Sequence, residues 1–403
     1  MRILRLIVVL TLIAPPGTTL AQEAPPPEHQ HPGSSPEPPQ NAWSWTGDAN
    51  VIFGYNYQNR KFTDFSVWES QNWFMLTGQR RVGRGQLTLD GMVSLEPFTM
   101  HALGSPQVFQ TGEHFQGGPL IDYQHPHDLL MGLGASYRAV HRGVGYVFEA
   151  DLVGEPALGP AAFMHRESGR DNPQAPLAHH YMDSTHTTPG VLRAGVDWRG
   201  AAVDGSWFRG LEPDDNRLNI ERPWLDSWSL RASWRRGPWQ TQFSGARLQR
   251  PELYSYSDMT RLTASIIFTG AIGSHSAAAT LAWGENREVH GILDAYLLEW
   301  DVETTPHGAF YGRAESVAKD LLDLGGLAPP GFVEFHRISH VAAFTLGYLH
   351  DVSHRGWGRI GVGADMTAYH VPQNMIDNYG APLSFHVFLR YRPTTHASMG
   401  HMH

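Results

Sequence analysis

From Trp43 onward, segments of about ten residues alternate apolar side chains with polar or small ones, the period-two signature of strands with one apolar and one polar face. In "QLTLDGMVSLE" (86–96), Leu87, Leu89, Val93 and Leu95 share one face, and Thr88, Asp90, Ser94 and Glu96 share the other. In "GVGYVFEADLVGE", Val144, Tyr146, Phe148, Ala150 and Leu152 oppose Glu149, Asp151 and Glu155. Near the end, Phe385, Val387, Leu389 and Tyr391 oppose His386 and Arg390. The spacing predicts sixteen such strands, joined by seven short turns (80–85, 141–143, 198–201, 235–238, 270–274, 303–308 and 353–356) and eight mostly longer stretches. The longer ones fall near 58–68, 97–126, 155–188, 211–226, 249–257, 285–289, 320–337 and 368–380.

An even strand count with short turns on one side and long loops on the other is what a bacterial outer-membrane barrel requires, because no open sheet edge can sit in hydrocarbon. A soluble sandwich or propeller would also show many short strands. The regular short-long alternation and the charges on one face of nearly every strand favour the barrel. The expected fold is therefore an all-β, transmembrane antiparallel barrel of about sixteen strands over 43–392, with long extracellular loops partly folded into the lumen. Short turns and both termini then face the periplasm.

The start of the chain agrees with export. Arg2 and Arg5 precede an apolar run from Leu6 to Ala14, and "TLA" closes at Ala21, the pattern of a signal peptide over 1–21. Residues 22–42 are proline-rich and lack a core-forming pattern, so a disordered leader is expected there. The chain has no cysteine, which leaves His, Met and carboxylates as the available metal ligands. Loss of the two leader arginines takes the formal charge from −9 to −11, which argues against nucleic acid as a partner. With 13 tryptophans and 14 tyrosines, outer-membrane lipid is the expected environment.

The candidate chemistry gathers at the outer rim. "DYQHPHDLL" (122–130) places His125, His127 and Asp128 where the second long loop meets the fourth strand, and strand parity aims Asp128 inward. Glu96, Glu155 and Glu212 each precede a proline and are expected at the same level. The second and third loops also carry His101, His114, His165, His179, His180, Asp183 and His186. A site of His and carboxylate ligands built by these loops would suit copper or zinc better than calcium. Alternatively, His125 and His127 are plug residues bonded to carboxylates, or acid/base groups, and Glu96 and Glu155 pair with Arg166 or Arg170. His179 and His180 are adjacent, so in an extended segment at most one is a ligand, and His180 is kept in the set.

A second candidate is the tail "THASMGHMH", with His396, Met399, His401, Met402 and His403 in a periplasmic segment over 393–403. Imidazole and thioether together suit copper. A solvated tail of accidental composition is the alternative. An outer-membrane hydrolase would need a nucleophile and a base; "MDSTH" offers Asp183, Ser184 and His186 but no G-x-S-x-G elbow.

The runs "GGPLIDYQHPHDLLMGLGASY", "GEPALGPAAFMHRESGRDNPQAPLAHHYMDSTH", "EPDDNR" and "SFHVFLRYRP" resemble an uncharacterised family of Gram-negative outer-membrane barrels. Its members are often found beside copper and heavy-metal resistance functions. The resemblance implies the fold and compartment and supplies no reaction. The expected function is binding or passage of transition-metal ions, copper first. A general small-solute porin and a hydrolase with a His/Asp site stand as alternatives. Expected partners are a metal ion or small solute, periplasmic metal-handling proteins and further copies of the chain.

Overall fold

A computed structural model describes residues 42–252, 257–289, 291–320 and 338–393. The expected signal peptide, most of the leader and the tail residues His396, Met399, His401, Met402 and His403 lie outside the described residues. Sixteen strands form one closed antiparallel barrel. We number them β1 (Ser44–Arg60), β2 (Thr63–Val82), β3 (Gly85–Val93), β4 (Leu130–His141), β5 (Val144–Gly154), β6 (Thr188–Trp198), β7 (Ala201–Phe208) and β8 (Ser227–Arg236). The second half comprises β9 (Trp239–Leu248), β10 (Met259–Ile272), β11 (His275–Glu288), β12 (Gly291–Thr305), β13 (Gly308–Asp320), β14 (Ile338–Arg355), β15 (Gly358–His370) and β16 (Leu383–Pro393). Each strand pairs with its sequence neighbours, and β1 closes on β16 from Val51 opposite Tyr391 to Asn59 opposite Leu383. Closure leaves the backbone of every strand paired on both sides, which is what hydrocarbon demands.

The expected alternation is realised. On β14, Phe344, Leu346 and Tyr348 are exposed while Ala343, Thr345 and Gly347 are buried. On β6, Leu192, Ala194, Val196 and Trp198 are exposed and the residues between them turn inward, Arg193 and Asp197 included. The seven short connections are all two-residue turns. In two of them, Arg142-Gly143 and Arg199-Gly200, both residues have positive φ, as the hairpin turns that match strand twist require. No described helix is long and apolar enough to cross a membrane; the spanning elements are strands.

Two of the expected long loops are not loops. Arg60 pairs with Thr63 and Glu288 with Gly291, so β1–β2 and β11–β12 are continuous hairpins where stretches 58–68 and 285–289 were expected to open. The polar residues there belong to strands that continue through the turn, with inward ones such as Gln58 and Asn286 buried against interior partners, so polarity does not mark a chain break.

The two longest connections, 94–129 and 155–187, fold into the lumen. Val108, Phe109, Leu177, Ala178, Tyr181 and Met182 from them pack against the inner wall at Ala282, Ala295, Leu297, Val317, Val341 and Ala343. On the opposite wall Trp73, Met92 and Met131 receive Ala162, Phe163, Met164 and Ala175. The 155–187 loop then reaches the periplasmic end, where Glu167, Arg170 and Asp171 line a cavity with the turn residues Pro306 and His307.

The loop is seated by close backbone approach. Gly159 has φ +76°, its N–H donates to Ser244 Oγ at 2.8 Å, and a Cβ added there would lie 2.0 Å from the Met182 carbonyl oxygen. Gly159→Ala is expected to loosen the loop by more than the cost of left-handed backbone alone, about 1–2 kcal/mol, because the Met182 carbonyl must also move, while the barrel still assembles. Faster proteolytic cleavage within 155–187 of folded, heat-modifiable protein is the measurement.

Candidate functional site

Glu96 begins a single helical turn, Glu96–Thr99, with Pro97 at its first positions. Its carboxylate accepts the Asn72 N–H on Oε1 at 3.2 Å and the His127 N–H on Oε2 at 2.8 Å. The same Oε2 lies 2.8 Å from His127 Nδ1. His127 Nε2 in turn lies 3.1 Å from His186 Nε2. His186 Nδ1 is 2.9 Å from the Asp183 carbonyl oxygen, an acceptor, so that nitrogen carries the proton.

Asp183 holds the neighbouring ring as well. Its Oδ1 is 2.8 Å from His179 Nδ1, and its Oδ2 accepts from Arg166 Nη1 at 2.5 Å. The buried Arg166 also donates through Nε to Glu299 of the β12 wall at 3.2 Å. The His179 and His186 rings lie 5.1 Å apart, and Phe163 packs edge-on against both. The site is thus a row of three imidazoles, His127, His186 and His179, held by Glu96 at one end and by the Asp183–Arg166–Glu299 chain at the other.

Burial sets the charge of these groups. It pushes His179 below its ordinary value despite the Asp183 carboxylate, and pushes His186 well below, with His179 and His127 adding to the effect. His165 falls to about 4 through burial, with His127 contributing. For Asp183 burial works upward, but Arg166 and His179 outweigh it and hold the carboxyl well below the usual range. Burial therefore favours the neutral form of His179 and His186.

The structure gathers only part of the expected set. His127, Glu96, Asp183 and His186 meet, and His179 joins them. His179 and His180 sit on a helical turn, His179–Met182, and not in an extended segment, so neighbouring side chains stand about 100° apart and both are buried. His180 Nδ1 lies 3.7 Å from Glu212, and its ring packs on that of His179. His125 is half-buried beside the group, where desolvation and Arg217 depress its pKa well below ordinary, and it lines the adjoining cavity. Asp128 pairs with Arg217 at 3.2 Å and is pushed up to about 6 by burial.

Other expected members are elsewhere. Glu155 follows β5 directly, near Arg231 and Arg193, and burial raises its carboxyl to about 7. Neither Glu96 nor Glu155 pairs with Arg166 or Arg170, which take Asp183 and Glu299, and Glu167, Asp301 and Glu303, respectively. His165 packs on Trp73, centroids 5.0 Å apart. His114 lies in a short ribbon, Glu113–Phe115, under the influence of Arg217 and Glu212. His101 is exposed. Among the described residues no three His, Asp or Glu side chains form a finished metal-ligand group. Ser184 Oγ accepts from Arg261 at 2.9 Å, and His186 turns both nitrogens elsewhere, so the Asp183, Ser184 and His186 triplet is not a nucleophile and its base.

Two cavities flank the loops. The first, about 50 Å³, runs along the β1–β2 wall between Glu96, His127 and Phe163 above and Asn50, Ile52 and Arg170 below. The second, about 240 Å³, opens at the periplasmic end and is lined by Arg170, Asp48, Glu303, Asp351, Arg390 and Arg392 among others. Arg170 borders both.

No family profile matches the sequence, and no curated protein is similar to it. Solved structures share the fold. Salmonella typhi OmpF in complex with daunomycin superposes with a TM-score of 0.52 at 9% identity, covering 88% of this chain and 98% of that one. The anion-selective porin from Comamonas acidovorans gives 0.51 at 11% identity, covering 87% and 100%. Pseudomonas putida OprB gives 0.51 at 10% identity, covering 88% and 94%. The likeness is one of fold: a closed sixteen-stranded β-barrel of the kind seen in outer-membrane porins, here with two loops inside it.

Two predictions follow from the charge arrangement. His165 has a folded pKa below its ordinary 6.5, so it contributes stability above pH 6.5 that is lost as pH falls toward about 4. Glu155 and Asp128 act with the opposite sign. His165→Phe, which keeps packing on Trp73, is expected to reduce the loss of loop protection between pH 6.5 and 4, read by hydrogen exchange of segment 155–187. Arg166→Met should leave Asp183 and Glu299 buried without their shared cation and cost about 3–5 kcal/mol, visible as a lowered unfolding temperature of the loop.

Proposed function

We propose that the barrel passes small solutes across the outer membrane, along the β1–β2 wall in its outer part and past β12–β16 at the periplasmic end, with the two internal loops narrowing the lumen. The observation that carries this reading is the pair of cavities separated by Arg170, which together reach from the histidine row at the rim to the periplasmic turns. Arg170 donates to Glu167 at 2.7 Å, to Glu303 at 2.8 Å and to Asp301 at 3.3 Å, and its carbonyl accepts from Asn50 Nδ2 at 3.2 Å. It is both the constriction and a counter-ion in a passage that mixes carboxylates with arginines.

A narrower reading names the solute as a transition-metal cation, copper first and zinc second, delivered to metal-handling proteins in the periplasm. The His125 and His127 imidazoles that line the first cavity favour it, as do Met100 and Met164 in the same lining.

Planar-bilayer conductance tests the passage. The wild-type barrel should give small unitary steps. Arg170→Ala should raise them severalfold and shift selectivity toward cations, because Glu167, Asp301 and Glu303 lose their shared guanidinium. Silence in both proteins overturns the reading.

A further inference from the structure

His127 and His186 present a proton-counting problem. The Glu96 carboxylate takes backbone N–H bonds on both oxygens, from Asn72 and from His127 itself, so toward the His127 ring it is an acceptor. His127 Nδ1 must therefore carry the hydrogen of the 2.8 Å contact. His186 Nδ1 must carry the hydrogen of its 2.9 Å contact, because its partner is the Asp183 carbonyl. With both Nδ1 atoms so engaged, the two Nε2 atoms are the remaining ring nitrogens, and they lie 3.1 Å apart. One ion can be shared by two imidazole nitrogens at that separation.

We propose that His127 Nε2 and His186 Nε2 bind one transition-metal ion, with Glu96 and the Asp183 carbonyl as the outer groups that fix the two rings. This deepens the metal reading given above and rests on it. Two metal–imidazole bonds of about 2.0–2.1 Å whose nitrogens are 3.1 Å apart subtend roughly 100° at the metal, close to a tetrahedral angle. A ligating histidine characteristically gives its other N–H to a carboxylate or a backbone carbonyl, and here one ring has each. His179 repeats the arrangement, its Nδ1 on the Asp183 carboxylate and its ring 5.1 Å from His186, which makes it the third imidazole at hand. Water supplies the remaining positions.

The donor set selects the ion. Neutral nitrogen ligands without a carboxylate in contact suit copper, zinc and nickel and reject calcium and magnesium. Copper(II) stands highest in affinity for such a set. The His127 side chain is 11% exposed and lines the first cavity, so an ion bound there stands at the head of the path toward Arg170.

The test is metal stoichiometry of the full chain, purified in detergent, stripped with chelator and titrated with copper(II) and separately with zinc(II). The His127→Gln and His186→Gln variants are each expected to bind one equivalent fewer than wild type, and the missing copper(II) equivalent should show imidazole nitrogen hyperfine coupling in wild type. Glu96→Gln keeps an acceptor for Nδ1 and guards against loss through misfolding; it should retain the equivalent with affinity weakened roughly 10–100-fold. Equal stoichiometry in wild type and His186→Gln overturns this site and leaves the pair sharing a proton, with any metal held elsewhere, the His/Met tail included. No bound metal in wild type overturns the metal reading as a whole, while conductance decides the passage separately.

Discussion

The Arg166 guanidinium is the contact on which the interior depends. It joins a loop carboxylate, Asp183, to a wall carboxylate, Glu299, and Arg313 of β13 completes the neutralisation of Glu299 at 2.8 Å. All four groups are buried, so none has water to fall back on, and the cluster holds only if every member is in place. With Arg166 seated, Asp183 is fixed as a carboxylate, His179 is oriented by it, and the Asp183 carbonyl presents itself to His186. The histidine row is thus positioned by an ion cluster whose Asp183 also bonds His179.

The same logic explains why the lumen is filled. A barrel wall must turn one face inward, and here that face mixes charges with small aliphatic residues. Charges such as Glu299, Asp301, Arg313 and Glu315 need partners once water is displaced, while Ala282, Ala295, Val317 and Val341 favour contact with apolar groups. Loops 94–129 and 155–187 supply both, arginines and backbone N–H groups to the first kind and Val108, Phe109, Leu177 and Tyr181 to the second. Against β1 and β2 they leave a cavity, where the wall offers amides such as Asn50, Gln71 and Asn72. The fold is that of porins, but this interior is closer to a packed core with a seam than to a water-filled tube.

The site was half legible in the chain. Glu96, His127, Asp183 and His186 could be named because histidines beside carboxylates at loop ends are conspicuous by residue type. Arg166, Glu299, Phe163 and Arg170 were missed as a unit, since Glu299 is more than 100 positions from the loop it anchors and no local pattern records such a distance. His179 was set behind His180 because an extended segment was assumed; the helical turn at His179–Met182 is imposed by packing of Tyr181 and Met182 into the lumen core. The rim glutamates and Arg166 or Arg170 have compatible charges, yet other carboxylates lie nearer in three dimensions.

The sequence by itself determined the membrane-facing half of this protein. Period-two alternation, seven short turns and the long connections between them dictate sixteen strands and their inward and outward faces, because each strand's pattern is local and lipid tolerates no alternative. Only the tertiary structure decided the other half. Which loop residues enter the lumen, how deep they reach, which carboxylate each arginine takes and which two imidazoles face one another all follow from contacts between residues far apart in the chain. These depend on volume and charge balance inside a closed wall, which exist only once the barrel has closed.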